Sequence, residues 1–456
     1  MERPQSPTAM LFTDKVPTVD LESAMPSAPP SEPDNSHSDS EKELEKKKDI
    51  ESDIGAWLCV LAAMFFLISS YGFMNSLGTV QSHLSLNQLS DFSTSEVGWI
   101  NGVYLFLSLI FNFQIGSILD RYGPQLLSTI AAFFSTATFL LLAQCKTYWQ
   151  FMLCLGVFGS IGTSIGAVTA VSVVGKLFIR RRGLAMGIAV MGTSLGSIVY
   201  PMTLRATFES LGWAWSMRLV ALIVACFTSL GVVCFLPFRR LTEGQSASKE
   251  EGGVGLDLSA FKSPKFVFTS LGVCIVEFVV YGIGGLLPTI SAGAGFSTED
   301  GYMLISILGA CSCVGRFSTG FIGDKVGPFN AMVTTMVIIV ILMASLFIPF
   351  ATSSATLLYI FTALWGYFSG SFYVLSPVCT GKTCEPKDYA RYFGSSNMCV
   401  AVALLLAIPL SGMMLEKLGS QLLACFYLGM IVLAGISFVV ARGLLIGNFF
   451  VLKRKM

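Results

Sequence analysis

From about residue 53 onward the chain is a succession of apolar runs of about 20 to 25 residues, each long enough to cross a hydrocarbon core of about 30 Å as a helix. Twelve runs fit, near 56–80, 96–119, 124–144, 149–174, 183–206, 215–237, 265–290, 300–322, 328–350, 356–380, 391–415 and 421–446. The pattern predicts an all-α membrane protein of twelve transmembrane helices. Residues 1–52 break it: they are rich in Ser, Pro, Glu and Lys, culminating in SEPDNSHSDSEKELEKKKDIESD, and hold too few large apolar side chains to build a core. A disordered cytosolic tail is expected there. No basic-then-apolar start precedes the first run, so no cleavable signal peptide is expected.

Composition narrows the class further. Of 456 residues, 53% are hydrophobic and only 12% charged, and the mean hydropathy is +0.70, far too apolar for a soluble globular chain of this length. The net charge of +1 conceals an asymmetry. Arg121, the run Arg180 to Arg182, Arg239, Arg240, Lys249, Lys262, Lys325, Lys382, Lys387 and the ending Lys453, Arg454, Lys455 fall in alternate connections, whereas the opposite ones hold little beyond Lys146 and Lys417, with Arg205 and Arg218 near helix ends. Cations are retained inside. Both termini are therefore expected in the cytosol, with the plasma membrane as the default residence. Residues 238–264, with TEGQSASKEEGG, read as a cytosolic linker between bundles at 53–237 and 265–446, and 447–456 as a short basic tail. Most Cys lie within apolar runs as small hydrophobes, and the only His are His37 and His83, so neither a metal site nor a cofactor is expected. Nothing suggests a nucleic-acid partner; lipid, a small organic substrate and protons are the partners considered, for a monomer.

One short element occurs twice. GSILDRYGP, Gly116 to Pro124, and GFIGDKVGP, Gly320 to Pro328, each place an Asp, a cation and a Gly-Pro between two apolar runs. Both resemble the loop between the second and third helices of the major facilitator superfamily and its repeat between the eighth and ninth, which implies two pseudo-symmetric six-helix bundles. Tyr71-Gly72 in the first helix and Tyr281-Gly282 in the seventh form a second echo. LFIRRRGLAMGIAVMGTSLG, Leu177 to Gly196, is similar to a signature of monocarboxylate porters, with Met191 where a small residue is usual. DIGAW, Asp53 to Trp57, is a degraded form of the family's other signature, and Ala56 to Gln81 and Tyr200 to Arg218 look like its fungal-type branch. The residues Arg180 to Arg182 are expected at the anionic membrane face, and Gly183, Gly187, Gly192 and Gly196 as a smooth stripe for helix packing. Gly284, Gly285 and Pro288 are expected to loosen the seventh helix.

Charges inside a bilayer cost about 2.5 to 3.5 kcal/mol at a helix centre, so each demands a reason. Arg316 lies about 12 Å into the eighth helix at 1.5 Å per residue and resembles the Arg that attracts a substrate carboxylate in monocarboxylate porters. Glu277, about 18 Å into the seventh helix, is the candidate coupling group, able to take a proton when Arg316 loses its ligand. Two departures from the family stand out. Asn75 occupies the place of a first-helix Lys, and Ser312 that of an Asp four residues before the Arg. With Tyr71, Phe73, Tyr104, Asn112, Gln114, Tyr281, Tyr367, Tyr373 and Asn397 these supply an aromatic and amide set suited to an organic ring compound. Asp120, Arg121, Asp324 and Lys325 are expected as conformational latches, the carboxylates capping neighbouring helices. The reading is a secondary transporter of a small organic acid or aromatic secondary metabolite by alternating access, with efflux and proton coupling as its specific forms. Riboflavin-type or other nutrient uptake is the alternative within transport, and a non-transporting nutrient receptor the alternative of another class. No enzyme motif is present.

Overall fold

The computed structural model describes residues 51–92, 94–242, 259–293, 295, 298–350 and 354–447. Tail residues 1–50, most of the 238–264 linker and the basic end after 447 lie outside the described residues. Everything described belongs to one unit, Lys46–Met456. Eleven stretches are long and apolar enough to cross a membrane, and the longest, Arg182–Leu241 with 60 residues, is two spans joined end to end. Gly212 breaks it with φ 70 and ψ 176, a conformation costly for any residue with a Cβ. Gly419 (φ 81, ψ 169) makes the same break within Tyr389–Ile446. Twelve spans result among the described residues.

In chain order, α1 covers Ile54–Leu86, α2 Thr94–Tyr122, α3 Pro124–Leu142, α4 Tyr148–Leu177, α5 182–211, α6 213–234, α7 Pro264–Gly293, α8 Thr298–Val326, α9 Pro328–Phe347, α10 Ala355–Thr380, α11 389–418 and α12 420–446. The two nonapeptides fold alike. Gly123 (φ 79) and Gly327 (φ 100) each make a one-residue turn, and Pro124 and Pro328 open the next helix, where the missing N–H costs nothing.

Packing places apolar side chains on both sides of each helix. Outward lie Phe133, Leu222, Ile341 and Ile436, all exposed, as a lipid-facing surface requires. Inward, one buried cluster holds mostly second-half residues such as Val276, Met332, Trp365 and Ile431. A second combines first-half Val171, Val174, Phe178 and Met186 with second-half Val374, Val378, Tyr389 and Ala390. A third holds buried residues of the first half alone, among them Val80, Leu84, Ile100, Leu142 and Met217, with half-buried Tyr281 as its second-half neighbour. The halves therefore share a dry core at the end carrying the nonapeptides.

One expectation changes here. The α5 glycines are not one stripe: Gly183 and Gly187 face α8, whereas Gly192 and Gly196 face α1. Steps of four keep a face, but the step of five from Gly187 to Gly192 turns the helix by roughly 140°. And helical geometry is not regular throughout: π-helical turns occur at Ile68–Gly72 in α1, Met152–Gly159 in α4 and Met343–Phe347 in α9. A π turn has no compositional signature, and such turns concentrate at functional sites.

A Cβ on Gly196 would stand 2.6 Å from the Gly72 Cα, which is backbone and has nowhere to go. Gly196→Val should therefore cost about 1 to 3 kcal/mol or more and lower the thermal midpoint of the detergent-solubilised protein. Gly429→Ala in α12, whose Cβ would meet nothing within 4 Å, should leave that midpoint unchanged; equal effects of the two would contradict the packing described.

Candidate functional site

The site is built from two layers, and the first is the shared end. Helix α5 starts after Arg181, a residue with no side-chain acceptor, so its first N–H groups need carboxylates from elsewhere. Asp324 near the end of α8 supplies one: its Oδ1 accepts from the Gly183 N–H at 2.7 Å and its Oδ2 from the Leu184 N–H at 2.8 Å. Glu51, 6% exposed, supplies the other. Its Oε1 accepts from the N–H groups of Ile179 and Arg180, each at 2.6 Å, and its Oε2 from that of Arg181 at 3.3 Å. The close approach of α8 to α5 depends on Gly320 and Gly183, whose backbones touch, and on Gly187, where a Cβ would stand 2.8 Å from the Arg316 carbonyl oxygen.

The other nonapeptide repeats the packing but not the capping. Gly116 of α2 lies against the Ala390 backbone of α11, and Gly394 of α11 against the Asn112 carbonyl, as Gly320 and Gly187 do across α8 and α5. Asp120, however, pairs with Lys176 of α4 at 2.7 Å, and its second oxygen is buried without a hydrogen-bond partner. Helix α11 begins at Asp388, itself an acid, which pairs with Arg391. A carboxylate already stands at that helix start, so Asp120 turns to a cation of its own half. Arg121 and Lys325 are exposed and lie over neighbouring rings, Tyr122 at 5.5 Å and Phe321 at 4.1 Å.

Arg182 corrects the expectation that the three arginines sit at the membrane face. Arg180 and Arg181 are exposed, but Arg182 is 3% exposed. Its Nε donates to the Phe178 carbonyl at 2.8 Å and its Nη2 to that of Gly175 at 2.5 Å, with its guanidinium 5.4 Å from the Tyr389 ring centre. It holds the α4–α5 turn against the start of α11. Sequence reasoning missed it, together with Glu51 and Lys176, since three adjacent arginines give no clue which one turns inward.

The second layer lies deeper. Arg316 and Asn112 occupy the same repeat position, four residues before Gly320 and Gly116. Arg316, 5% exposed, donates from Nη1 to the Val190 carbonyl of α5 at 3.0 Å, lies 4.9 Å from the Tyr373 ring centre, and has an Nε without a partner. Asn112, fully buried, donates from Nδ2 to the Tyr71 hydroxyl at 3.0 Å and accepts at Oδ1 from the Ser164 hydroxyl at 2.6 Å. Tyr71 belongs to the π turn of α1. Tyr281 and Tyr373 are close neighbours, and Glu277 is an electrostatic neighbour of both and of Arg316. No ion pair joins Glu277 to Arg316 among the described residues, and the Glu277 Oε2 is buried without a hydrogen-bond partner.

Of the anticipated residues, Arg316, Glu277, Tyr71, Asn112, Tyr281 and Tyr373 come together. Asn75 is exposed at the non-helical step that follows the π turn, and Asn397 on α11 has a buried Nδ2 without a partner; no side-chain hydrogen bond ties either to the set among the described residues. Phe73 and Tyr104 belong to the first-half core, Phe73 edge-on to Phe139 and Tyr104 hydrogen-bonded to Thr163. The assembled groups offer a cation, an acid and three phenols in a low-dielectric interior, a set that can hold an anionic or planar organic molecule.

Comparisons with known proteins agree with this architecture. The family model described as Major Facilitator Superfamily matches residues 57–355 and 319–454. A riboflavin transporter of Saccharomyces cerevisiae is 29% identical over 79% of this chain and 72% of its own. An aspyridones efflux protein of Emericella nidulans is 30% identical over 80% of this chain and 73% of its own. Among solved structures, a human organic anion transporter superposes with a TM-score of 0.68 at 14% identity, covering 85% of this chain and 100% of that one, which bears on the fold alone. The matched span, the twelve membrane helices and the transporters it resembles place this chain in the Major Facilitator Superfamily, as a multi-pass secondary transporter of small molecules rather than an enzyme.

Proposed function

We propose that the chain is a monocarboxylate porter-like transporter of the fungal-type branch that exports a small organic acid or aromatic secondary metabolite. The observation that carries this reading is the pair of buried, unpartnered polar atoms, the Nε of Arg316 and the Oε2 of Glu277, close to Tyr281 and Tyr373. A buried charge without a full set of partners is costly, and a ligand carboxylate would complete the guanidinium fork. The named activity of the Emericella nidulans relative favours efflux.

In this reading residues 53–237 and 265–446 are the two bodies that rock about the Arg316 layer, in a monomer in the plasma membrane with both termini cytosolic. The shared end is then the cytosolic gate in its closed state. Asp324 on the α5 start, Asp120 with Lys176, and the exposed Arg121 and Lys325 form its latch. Opening separates α8 from α5, so it breaks the Asp324 bonds and the Arg316 bond to Val190 together. A carboxylate ligand competes with the Val190 carbonyl for Arg316 and so loosens the gate. Glu277 would carry the coupling proton, its protonation changing as Arg316 gains and loses its ligand.

A second reading rests on the tyrosines and on Asn112 and Asn397, which suit a neutral ring system, and on the Saccharomyces cerevisiae relative. Uptake of riboflavin is its form. Counterflow in reconstituted vesicles decides between them, using a panel of aromatic carboxylates and riboflavin. Under the first reading Arg316→Gln lowers carboxylate counterflow at least about tenfold and Arg316→Lys does not restore it, because Lys lacks the fork. Riboflavin counterflow indifferent to Arg316→Gln would favour the second reading and overturn the first.

For coupling, Glu277→Gln should abolish accumulation driven by a pH gradient while exchange of substrate for substrate persists. Accumulation that still follows the pH gradient would remove Glu277 from coupling. For the latch, Asp324→Asn should lower maximal transport about tenfold with half-saturation changed less than about twofold, since the lost bonds are charge-assisted and lie away from the ligand. Asp120→Asn should slow transport in the same sense; a loss of affinity at normal turnover in either variant would contradict a latch.

A further inference from the structure

We infer that Glu51 is a positioning residue of the gate: by gripping the backbone of residues 179–181 it presents the next amides, those of Gly183 and Leu184, to Asp324. This rests on the proposed role of Asp324 as a latch.

The geometry carries the inference in three steps. First, five N–H groups between Ile179 and Leu184 are bound by two carboxylates, three by Glu51 and two by Asp324. The segment between α4 and α5 is short, and Phe178 is extended at φ −108, ψ 127 before the helix restarts at Arg182. Its amides point to one side because Glu51 holds them there. Second, the two carboxylates belong to different moving parts. Glu51 precedes α1 and is fixed to it by the Trp57 Nε1–H, which donates to the Glu51 carbonyl at 3.1 Å. Asp324 belongs to α8. When α8 leaves α5, Asp324 leaves with it and Glu51 stays, so Glu51 keeps the α5 start in its receptive shape through the transport cycle. Third, one cation lies near both carboxylates. Glu51 and Asp324 are electrostatic neighbours of each other and of Arg182, whose guanidinium is bound by the carbonyls of the same turn. Two carboxylates on adjoining amides would repel each other without it.

Glu51 differs in kind from the family-like acid near it. Asp53 accepts from the Gly55 N–H at 2.6 Å and pairs with Arg240 at 3.0 Å, a local closure of α1 onto the short helix Pro237–Thr242 that follows α6. Glu51 instead reaches 128 residues along the chain, to the loop that the gate closes on.

The test is hydrogen exchange at single-amide resolution on the full-length purified protein, comparing wild type with Glu51→Ala, Glu51→Gln and Asp324→Asn. Glu51→Ala should speed exchange at Ile179, Arg180 and Arg181 and also, about tenfold, at Gly183 and Leu184, which Glu51 does not touch. Glu51→Gln keeps an Oε1 for the two short bonds and replaces only the Oε2, so it should expose Arg181 while Ile179, Arg180, Gly183 and Leu184 stay protected. That pattern of rescue separates positioning from a general loosening, in which all variants would exchange faster at every amide of the turn. If Glu51→Ala leaves Gly183 and Leu184 as protected as in wild type while Asp324→Asn exposes one of the two, the inference falls and the latch stands. If Asp324→Asn also leaves them protected, the latch reading falls with it. In transport, Glu51→Ala should reduce the maximal rate several-fold with half-saturation unchanged and Glu51→Gln should recover it; a change confined to half-saturation would overturn the assignment.

Discussion

A helix that begins without an acceptor of its own governs the end of this protein at which the two halves share a core. The first amides of α5 follow a run of three arginines, and the positive end of the helix dipole adds to three positive side chains. Left alone, that start is electrostatically unfavourable and its N–H groups unsatisfied. Two carboxylates from distant parts of the chain and the inward turn of Arg182 resolve it. The contact between halves at this end therefore includes two charge-assisted hydrogen bonds, from the Gly183 and Leu184 amides to Asp324.

The glycines make that arrangement possible by bringing backbones together. Gly320 on Gly183, Gly187 on the Arg316 carbonyl, Gly116 on Ala390 and Gly394 on the Asn112 carbonyl are one contact pattern written twice. At the pivot of each pattern stands a polar residue, Arg316 in one half and Asn112 in the other. Asn112 spends its amide on Tyr71 and Ser164 of its own half, so it stiffens the first half. Arg316 spends one nitrogen on Val190 of the opposite half and keeps Nε open. Equal backbones with unequal side chains leave one rigid wall and one wall able to exchange partners.

Much of this was legible in the sequence. Run lengths located all twelve spans, and the duplicated Gly-Asp-cation-Gly-Pro text located both tight turns, because Gly at positive φ followed by Pro at a helix start leaves few alternatives. Arg316 and Glu277 were legible as charges in apolar runs. What escaped had no local signal. Nothing in RRR distinguishes Arg182 from its neighbours, since its burial is set by Tyr389 and the Gly175 carbonyl. Glu51 reads as the last acid of a polar tail, and only the fold brings the 179–181 backbone to it. Asp120 and Asp324 sit in matching text yet differ in partners because of Asp388, which lies more than 60 residues from either. The π turn around Tyr71 is likewise a product of helix packing, Gly72 against Gly196, rather than of propensity.

The separation of Glu277 from Arg316 bears on whether the interior is a brace or a binding site. Two opposite charges in a low-dielectric interior attract strongly, and a chain needing only a brace would let them touch, since breaking a buried pair costs about 3 to 5 kcal/mol. Here they influence each other without contact, while Arg316 is drawn to a backbone carbonyl and to the face of Tyr373. Both of those partners are weaker than a carboxylate and both are replaceable. The hydroxyls of Tyr281 and Tyr373 beside them can act as donor or acceptor. An interior arranged this way keeps its cation and its acid apart, and Arg316 is committed to a backbone carbonyl rather than to an ion pair.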